Sequence, residues 1–226
     1  MSLDTLVLAL QQAAEAAPAA LERVPVAADP RLVWAIPLLP VFGFLFQVFI
    51  GHRTPKPIVS LVSCTVIAVP ALIAWALFFK LKGGGDPTAL KFIDANLGPW
   101  IKVPGVDAEF GWLNVLVNHR LVVDQLTSVM ILVVTNIAFL IHVYSIGYMA
   151  DEKRYARYFS YLNLFTGFML ILVMGSNLLL MFVGWEGVGL CSYLLIGFWY
   201  EKKENAAAGM KAFVVNRVGD FAFTIG

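Results

Sequence analysis

The chain has 226 residues, 60% of them hydrophobic and only 14% charged, with 17 Phe and 6 Trp and a net charge of +1. Its mean hydropathy of +0.79 leaves too little polar surface to coat a soluble globule, so most apolar side chains must face lipid or other helices. The near-neutral balance excludes a basic nucleic-acid footprint, and two cysteines, Cys64 and Cys191, both inside apolar runs, exclude a disulfide framework or a CxxC metal knuckle.

Residues 1–30 are Ala-rich and lack a basic region ahead of the first apolar stretch, which excludes a secretory signal. Leu3, Leu6, Val7 and Leu10 repeat at helical spacing before Pro18, Pro25 and Pro30 intervene. This pattern reads as an extension that is disordered or lies on the membrane surface. Leu32 to Ile50 and Pro57 to Phe79 are uncharged and long enough to cross a hydrocarbon core of about 30 Å. They are predicted spans one and two, within residues 31–79, with Pro37, Pro40 and Pro70 inside them.

Between residues 80 and 124 Gly and Pro punctuate a polar stretch outside the bilayer, and Phe110 to Val123 alternates enough to predict a small β-hairpin in this outer loop. Residues 125–226 hold the remaining spans. Gln125 to Ala150 is uncharged and makes span three. Tyr158 to Tyr200 carries one formal charge, Glu186, and is about twice as long as one span can use, so it must turn back. The Gly175, Ser176 and Asn177 cluster sets that turn, giving span four at about 158–174 and span five at about 177–200. A sixth helix starts near Ala206, and with no cap or closing basic residue it is expected to continue past Gly226. The fold class is therefore an all-α polytopic membrane protein with five full spans and the start of a sixth.

Short loops after spans one, three and five carry Arg53, Lys56, Lys153, Arg154, Arg157, Lys202 and Lys203, whereas the turn between spans four and five has no basic residue. By the positive-inside rule the basic side is cytoplasmic and the N-terminus faces outward.

Glu186 lies near the middle of span five. A charge at the bilayer centre costs on the order of 3 kcal/mol, so an ionisable group there faces a bundle interior or water. Burial favours the neutral acid and a nearby cation favours the carboxylate, so a small rearrangement can load or unload a proton. The alternative is a neutral glutamic acid serving only as a helix–helix hydrogen-bond donor. Arg217 and Asp220 are three residues apart on one helix face and able to pair. Lys211 either snorkels or takes part with them. His142, deep in span three, either relays protons or bonds a neighbouring hydroxyl. Asp124, at the outer start of span three, is a helix cap or a proton exit, and His52 and His119 are loop residues. Gly184, Gly187 and Cys191 form a small-residue stripe for close helix packing. With no phosphate loop, dinucleotide fingerprint, haem ligand set or Fe–S cysteine cluster, the chain is expected to hold no electron carrier or metal, and no soluble small-molecule substrate.

The run Gly184-Trp-Glu-Gly-Val-Gly-Leu-Cys-Ser-Tyr-Leu-Leu-Ile-Gly-Phe-Trp-Tyr200, with Met210-Lys-Ala-Phe-Val-Val-Asn-Arg-Val-Gly-Asp220, closely resembles the antiporter-like subunit L family of respiratory NADH:quinone oxidoreductase, complex I. Val123-Asp-Gln-Leu-Thr127, Leu140-Ile-His-Val-Tyr144 and Ser176-Asn-Leu-Leu-Leu-Met181 carry the resemblance upstream. It covers residues 110–226 strongly and 31–109 loosely; residues 1–30 depart from it.

The resemblance implies a membrane-arm subunit that translocates protons while electrons pass from NADH to quinone elsewhere in the complex. It puts the family's essential glutamate on Glu186 and its Arg-Val-Gly-Asp element on Arg217 and Asp220. It also implies FMN, iron–sulfur clusters and quinone in partner subunits, an adjacent antiporter-like subunit as neighbour, and a bacterial inner membrane as location. The family's lysine on the next broken helix, and its lateral helix, have no counterpart in these residues. Two other readings stand beside it: the large subunit of a multi-subunit cation/proton antiporter or membrane-bound hydrogenase, and a structural membrane scaffold.

Overall fold

The computed structural model describes residues 23–83, 89–101 and 117–225. Polar caps separated by uncharged runs set its helices. Pro30 opens α1 (Pro30–Phe49), where its missing N–H is no loss, and the Asp29 carboxylate accepts the Arg31 backbone N–H at 2.9 Å. α2 is Lys56–Lys82. Asp124 caps α3 (Gln125–Tyr148) by accepting from the Thr127 N–H at 2.7 Å. α4 is Tyr155–Met174. Asn177 caps α5 (Leu178–Ile196), accepting from the Leu180 N–H at 2.8 Å, and α6 is Lys203–Ile225. Among the described residues α1 to α5 are long and apolar enough to cross a membrane. The protein is an integral membrane protein.

Several of these bounds differ from the sequence reading by one to four residues, α6 for instance starting at Lys203 and not near Ala206. α4 starts at Tyr155, three residues early, and α5 ends at Ile196, because the Gly197 N–H closes the last turn on the Tyr193 carbonyl. Trp199 and Tyr200, apolar enough to read as helix, serve the following loop instead.

α4 is the hub of the bundle and packs against α1, α2, α3 and α5, while α6 packs on α5. Its inward side carries Phe159, Ser160, Asn163, Thr166, Leu170 and Met174, all buried.

One end of the bundle is closed by a sheet. β2 (Leu90–Ile101) lies between β1 (Arg23–Pro25), parallel to it, and β3 (Val117–Asp124), antiparallel to it. Ile93 sits opposite Val123 and Ala95 opposite Leu121. These four side chains are buried on one face and join a core with Val33, Ile36, Leu77, Leu81, Leu170 and Met174. β2 and β3 thus form the small hairpin expected in the outer loop, with β3 covering the Val117–Val123 part of the stretch that suggested it. Lys91 shares the buried face of β2 with Ile93 and Ala95, which disguises the alternation. β3 also touches the α4–α5 turn, the Ser176 N–H donating to the Arg120 carbonyl at 3.2 Å. Residues 1–22 and 102–116, including most of the predicted extension and part of the predicted hairpin, lie outside the described residues.

The loops at the other end are tied together. The Lys56 ammonium donates to the Ala150 carbonyl at 2.6 Å, Arg154 pairs with Glu201 at 2.8 Å, and the Trp199 indole donates to Glu152 at 2.9 Å. The three basic loops therefore share one face, opposite the sheet.

Candidate functional site between α5 and α6

Close packing against α4 sets the rotation of α5. A Cβ on Gly184 would stand 2.7 Å from the Leu172 Cα, and one on Gly187 would overlap the Phe168 ring. With Gly184, Gly187 and Cys191 buried, Trp185 and Glu186 are left for the side where α6 packs. α6 approaches closely at Gly209, where an added Cβ would lie 3.3 Å from the Gly197 Cα. Further along, Tyr193 meets Phe213 at 5.3 Å between ring centroids, and Trp185 stacks on Phe223 at 6.2 Å.

Glu186 Oε2 pairs directly with Arg217 Nη1. The same Nη1 is 3.6 Å from Asp220 Oδ2. Asp220 Oδ1 accepts the Trp185 indole N–H at 2.6 Å, and the guanidinium lies 4.6 Å from the Phe213 ring centroid. One cation thus stands between two carboxylates contributed by two helices. The Asp220 side chain is 9% exposed, Glu186 25% and Arg217 35%. Arg217 Nε is buried without a partner among the described residues. The pair opens on a cleft of about 370 Å³ whose other walls are Phe168, Phe182, Val183, Leu190 and Phe213. So apolar a lining strengthens Coulomb attraction relative to water.

Of the six residues singled out from the sequence, the structure brings together Glu186, Arg217 and Asp220. Lys211 is exposed on α6 and makes no ion pair among the described residues. Asp124 caps α3 at the sheet end. His142 is fully buried, bonded to the Ala138 carbonyl and to Asn163. Trp185, Phe213 and Asn163 were not anticipated. A lone Asn in an apolar span was a readable signal, whereas the partners of Trp185 and Phe213 depend on helix rotation. Among the described residues no three His, Cys, Asp or Glu side chains gather as a metal site.

Two family models match this chain: NADH-ubiquinone oxidoreductase (complex I), chain 5 N-terminus, over residues 100–159, and the NADH:quinone oxidoreductase/Mrp antiporter transmembrane family over residues 175–226. The second match contains Glu186, Arg217 and Asp220. The matched residues belong to the complex I chain 5 and Mrp antiporter family. Among relatives of this family, NADH-quinone oxidoreductase subunit L of Rickettsia bellii is 42% identical over 84% of the chain and 27% of its own length. Subunit L of Escherichia coli is 42% identical over 81% of the chain and 28% of its own length. NADH-ubiquinone oxidoreductase chain 5 of Rhizopus stolonifer is 40% identical over 85% of the chain and 27% of its own length. The chain therefore spans about a quarter of the length of these relatives. A solved structure of the membrane-bound sulfane sulfur reductase, an archaeal respiratory membrane complex, superposes with a TM-score of 0.65 at 18% identity, over 86% of the chain and 36% of the matched one. That likeness shows the same fold recurring at low identity.

Proposed function

We propose that these residues form the N-terminal part of a proton-translocating membrane-arm subunit of NADH:quinone oxidoreductase, in which Glu186 takes up and releases a proton as Arg217 shifts between it and Asp220. The observation that carries this reading is the shared guanidinium, paired with Glu186 and 3.6 Å from Asp220. Two carboxylates around one cation leave one negative charge in an apolar cleft, and a proton is the smallest charge that removes it. Moving a unit charge from about 4 Å to about 8 Å from its partner changes their energy by roughly 2 kcal/mol at an effective dielectric of 20. Carrying one charge through 100 mV takes about 2.3 kcal/mol. A swing of Arg217 is therefore of the size needed to move a proton against a membrane potential.

The words NADH-quinone oxidoreductase subunit L in the names of the relatives support a multi-subunit oxidoreductase, and in this reading quinone reduction, FMN and the iron–sulfur clusters belong to partner subunits, with an adjacent antiporter-like subunit as neighbour. The shared face of the basic loops supports a cytoplasmic position for them in a bacterial inner membrane, with the sheet and the N-terminus outside. Residues 125–226 then carry the proton-handling groups and residues 31–79 brace them. Lys211 and Asp124 supply proton access at the two ends of the path. In the full complex, Glu186→Gln should depress both proton pumping and NADH:quinone activity; unchanged values for both would remove this role.

The family description also names the Mrp antiporter, which makes a cation/proton antiporter the second reading. Co-purification separates them, since flavin and iron–sulfur partners that oxidise NADH accompany the first and small hydrophobic subunits the second.

A further inference from the structure

His142 of α3 and Asn163 of α4 are both fully buried. His142 Nδ1 lies 2.7 Å from the Ala138 carbonyl oxygen, which only accepts, so Nδ1 carries a hydrogen. Nε2 faces Asn163 Oδ1 at 2.9 Å, a second acceptor. Both contacts are hydrogen bonds together only when both ring nitrogens bear hydrogen, which is the imidazolium. In that arrangement Asn163 Nδ2, with two hydrogens to donate, is buried without a partner among the described residues.

Turning the amide over exchanges its two ends. Nδ2 then donates to Nε2, and the imidazole is neutral. Each amide orientation thus matches one protonation state of the ring. We infer that His142 and Asn163 form a second proton-holding site, apart from the Glu186 group, in which the Asn163 amide turns as Nε2 gains or loses a proton. Uptake breaks one O–H bond of hydronium and forms the Nε2–H bond, releasing water, while the Nδ2–H···Nε2 hydrogen bond gives way to Nε2–H···Oδ1; no other covalent bond changes. The inference goes beyond the proposed role of Glu186 and does not require it.

The surroundings suit a proton that comes and goes. Among the described residues no Asp or Glu lies within ion-pair distance of His142. The titratable groups on the helices around it are Tyr144 and Tyr148 on α3, Tyr155, Tyr158 and Tyr161 on α4, and Cys64 on α2. The charges of these helices, Lys56, Lys80 and Lys82 of α2 and Arg157 of α4, stand near helix ends. Tyr158 bonds Ser145, three residues along α3 from His142, at 3.3 Å, and Tyr155 bonds Ser60 at 2.6 Å. An imidazolium here has no counter-ion among the described residues and is not a stable resting charge. On the far side of the amide, a Cβ on Gly43 would lie 3.0 Å from Nδ2. One turn further along α1, Gln47 bonds the Ser63 hydroxyl and leaves Oε1 buried without a partner among the described residues. Neutral polar groups, not ions, therefore surround the pair.

Histidine C2 hydrogen–deuterium exchange, read by mass spectrometry on the intact complex, measures the protonation of each imidazole separately. The wild-type His142 profile should be sigmoidal with a single midpoint. Asn163→Asp, which fixes an acceptor and a charge beside Nε2, should move the midpoint up by about one pH unit, a tenfold change in proton affinity. Asn163→Leu, which removes the second acceptor, should move it down. A flat wild-type profile, or a midpoint that neither variant moves, would show a purely structural hydrogen bond and overturn the inference. Should a variant fail to assemble, the wild-type profile decides alone. Because the readout is imidazole protonation and not pumping, an unchanged Glu186→Gln complex would leave this result standing.

Discussion

Trp185 holds Asp220: the indole N–H of α5 donates to the Asp220 carboxylate of α6 at 2.6 Å, so the residue beside Glu186 restrains the acid that competes with it for Arg217. Trp185→Phe keeps a ring to stack on Phe223 and deletes the donor. A hydrogen bond to a charged group contributes about 1.5–3 kcal/mol. The variant should assemble normally but pump fewer protons per NADH oxidised, measured by dye quenching in vesicles; a wild-type ratio would show that the bond has no part in translocation.

Arg217 acts through two partners, so its replacements should not behave as simple charge deletions. Arg217→Lys keeps the charge but loses the planar fork that reaches both acids, and should retain part of the pumping rate. Arg217→Ala leaves two carboxylates without a cation and should lower it further, to a small residual rate. In a double-mutant cycle, Glu186→Gln with Arg217→Ala should cost little more than Arg217→Ala alone, a coupling of about 1 kcal/mol or more. Additive losses would mean that the two side chains act independently.

Lipid makes the spans easy to read, because an uncharged run of sufficient length has few other destinations. Pairings between helices are harder. Trp185 finds Asp220 only because Gly184 and Gly187 press α5 onto α4 and turn its other side toward α6, a rotation no linear spacing displays. β2 escaped notice because Lys91 occupies a buried position of its alternation. The end of α5 was misplaced for a related reason: Trp199 and Tyr200 are apolar, yet Trp199 bonds Glu152 and Tyr200 lies under the Arg154 guanidinium at 4.9 Å. Hydropathy does not separate a loop aromatic from a helical one.

The glycines of α5 should separate by position and not by type. Gly184→Ala drives a methyl into the Leu172 backbone, and overpacking of this kind costs about 1–3 kcal/mol. Gly189→Ala meets nothing among the described residues nearer than Arg217 Nη2 at 4.0 Å and gains roughly 1 kcal/mol of helix propensity. The level of assembled subunit in membranes, with thermal stability of the purified complex, should fall for the first and hold or rise for the second. Equal levels would contradict the close α4–α5 approach.

At the loop end, acid should release Trp199. Glu152 accepts the Trp199 indole N–H at 2.9 Å and the Arg154 backbone N–H at 3.2 Å, with the Arg154 guanidinium 4.0 Å away. The Trp199 bond first, then the Arg154 N–H and charge, hold the Glu152 carboxyl below its ordinary value of 4.5. A folded-state value below the unfolded one gives a contribution that is complete above the ordinary value and is lost as pH falls through the folded one. Exposure to solvent keeps that contribution small, so the sensitive readout is local. The fluorescence difference between wild type and Trp199→Phe should be constant from neutral pH down to about 4.5 and change below it. In Glu152→Gln, which has no carboxyl to titrate, that transition should vanish; if it persists, another group controls the tryptophan.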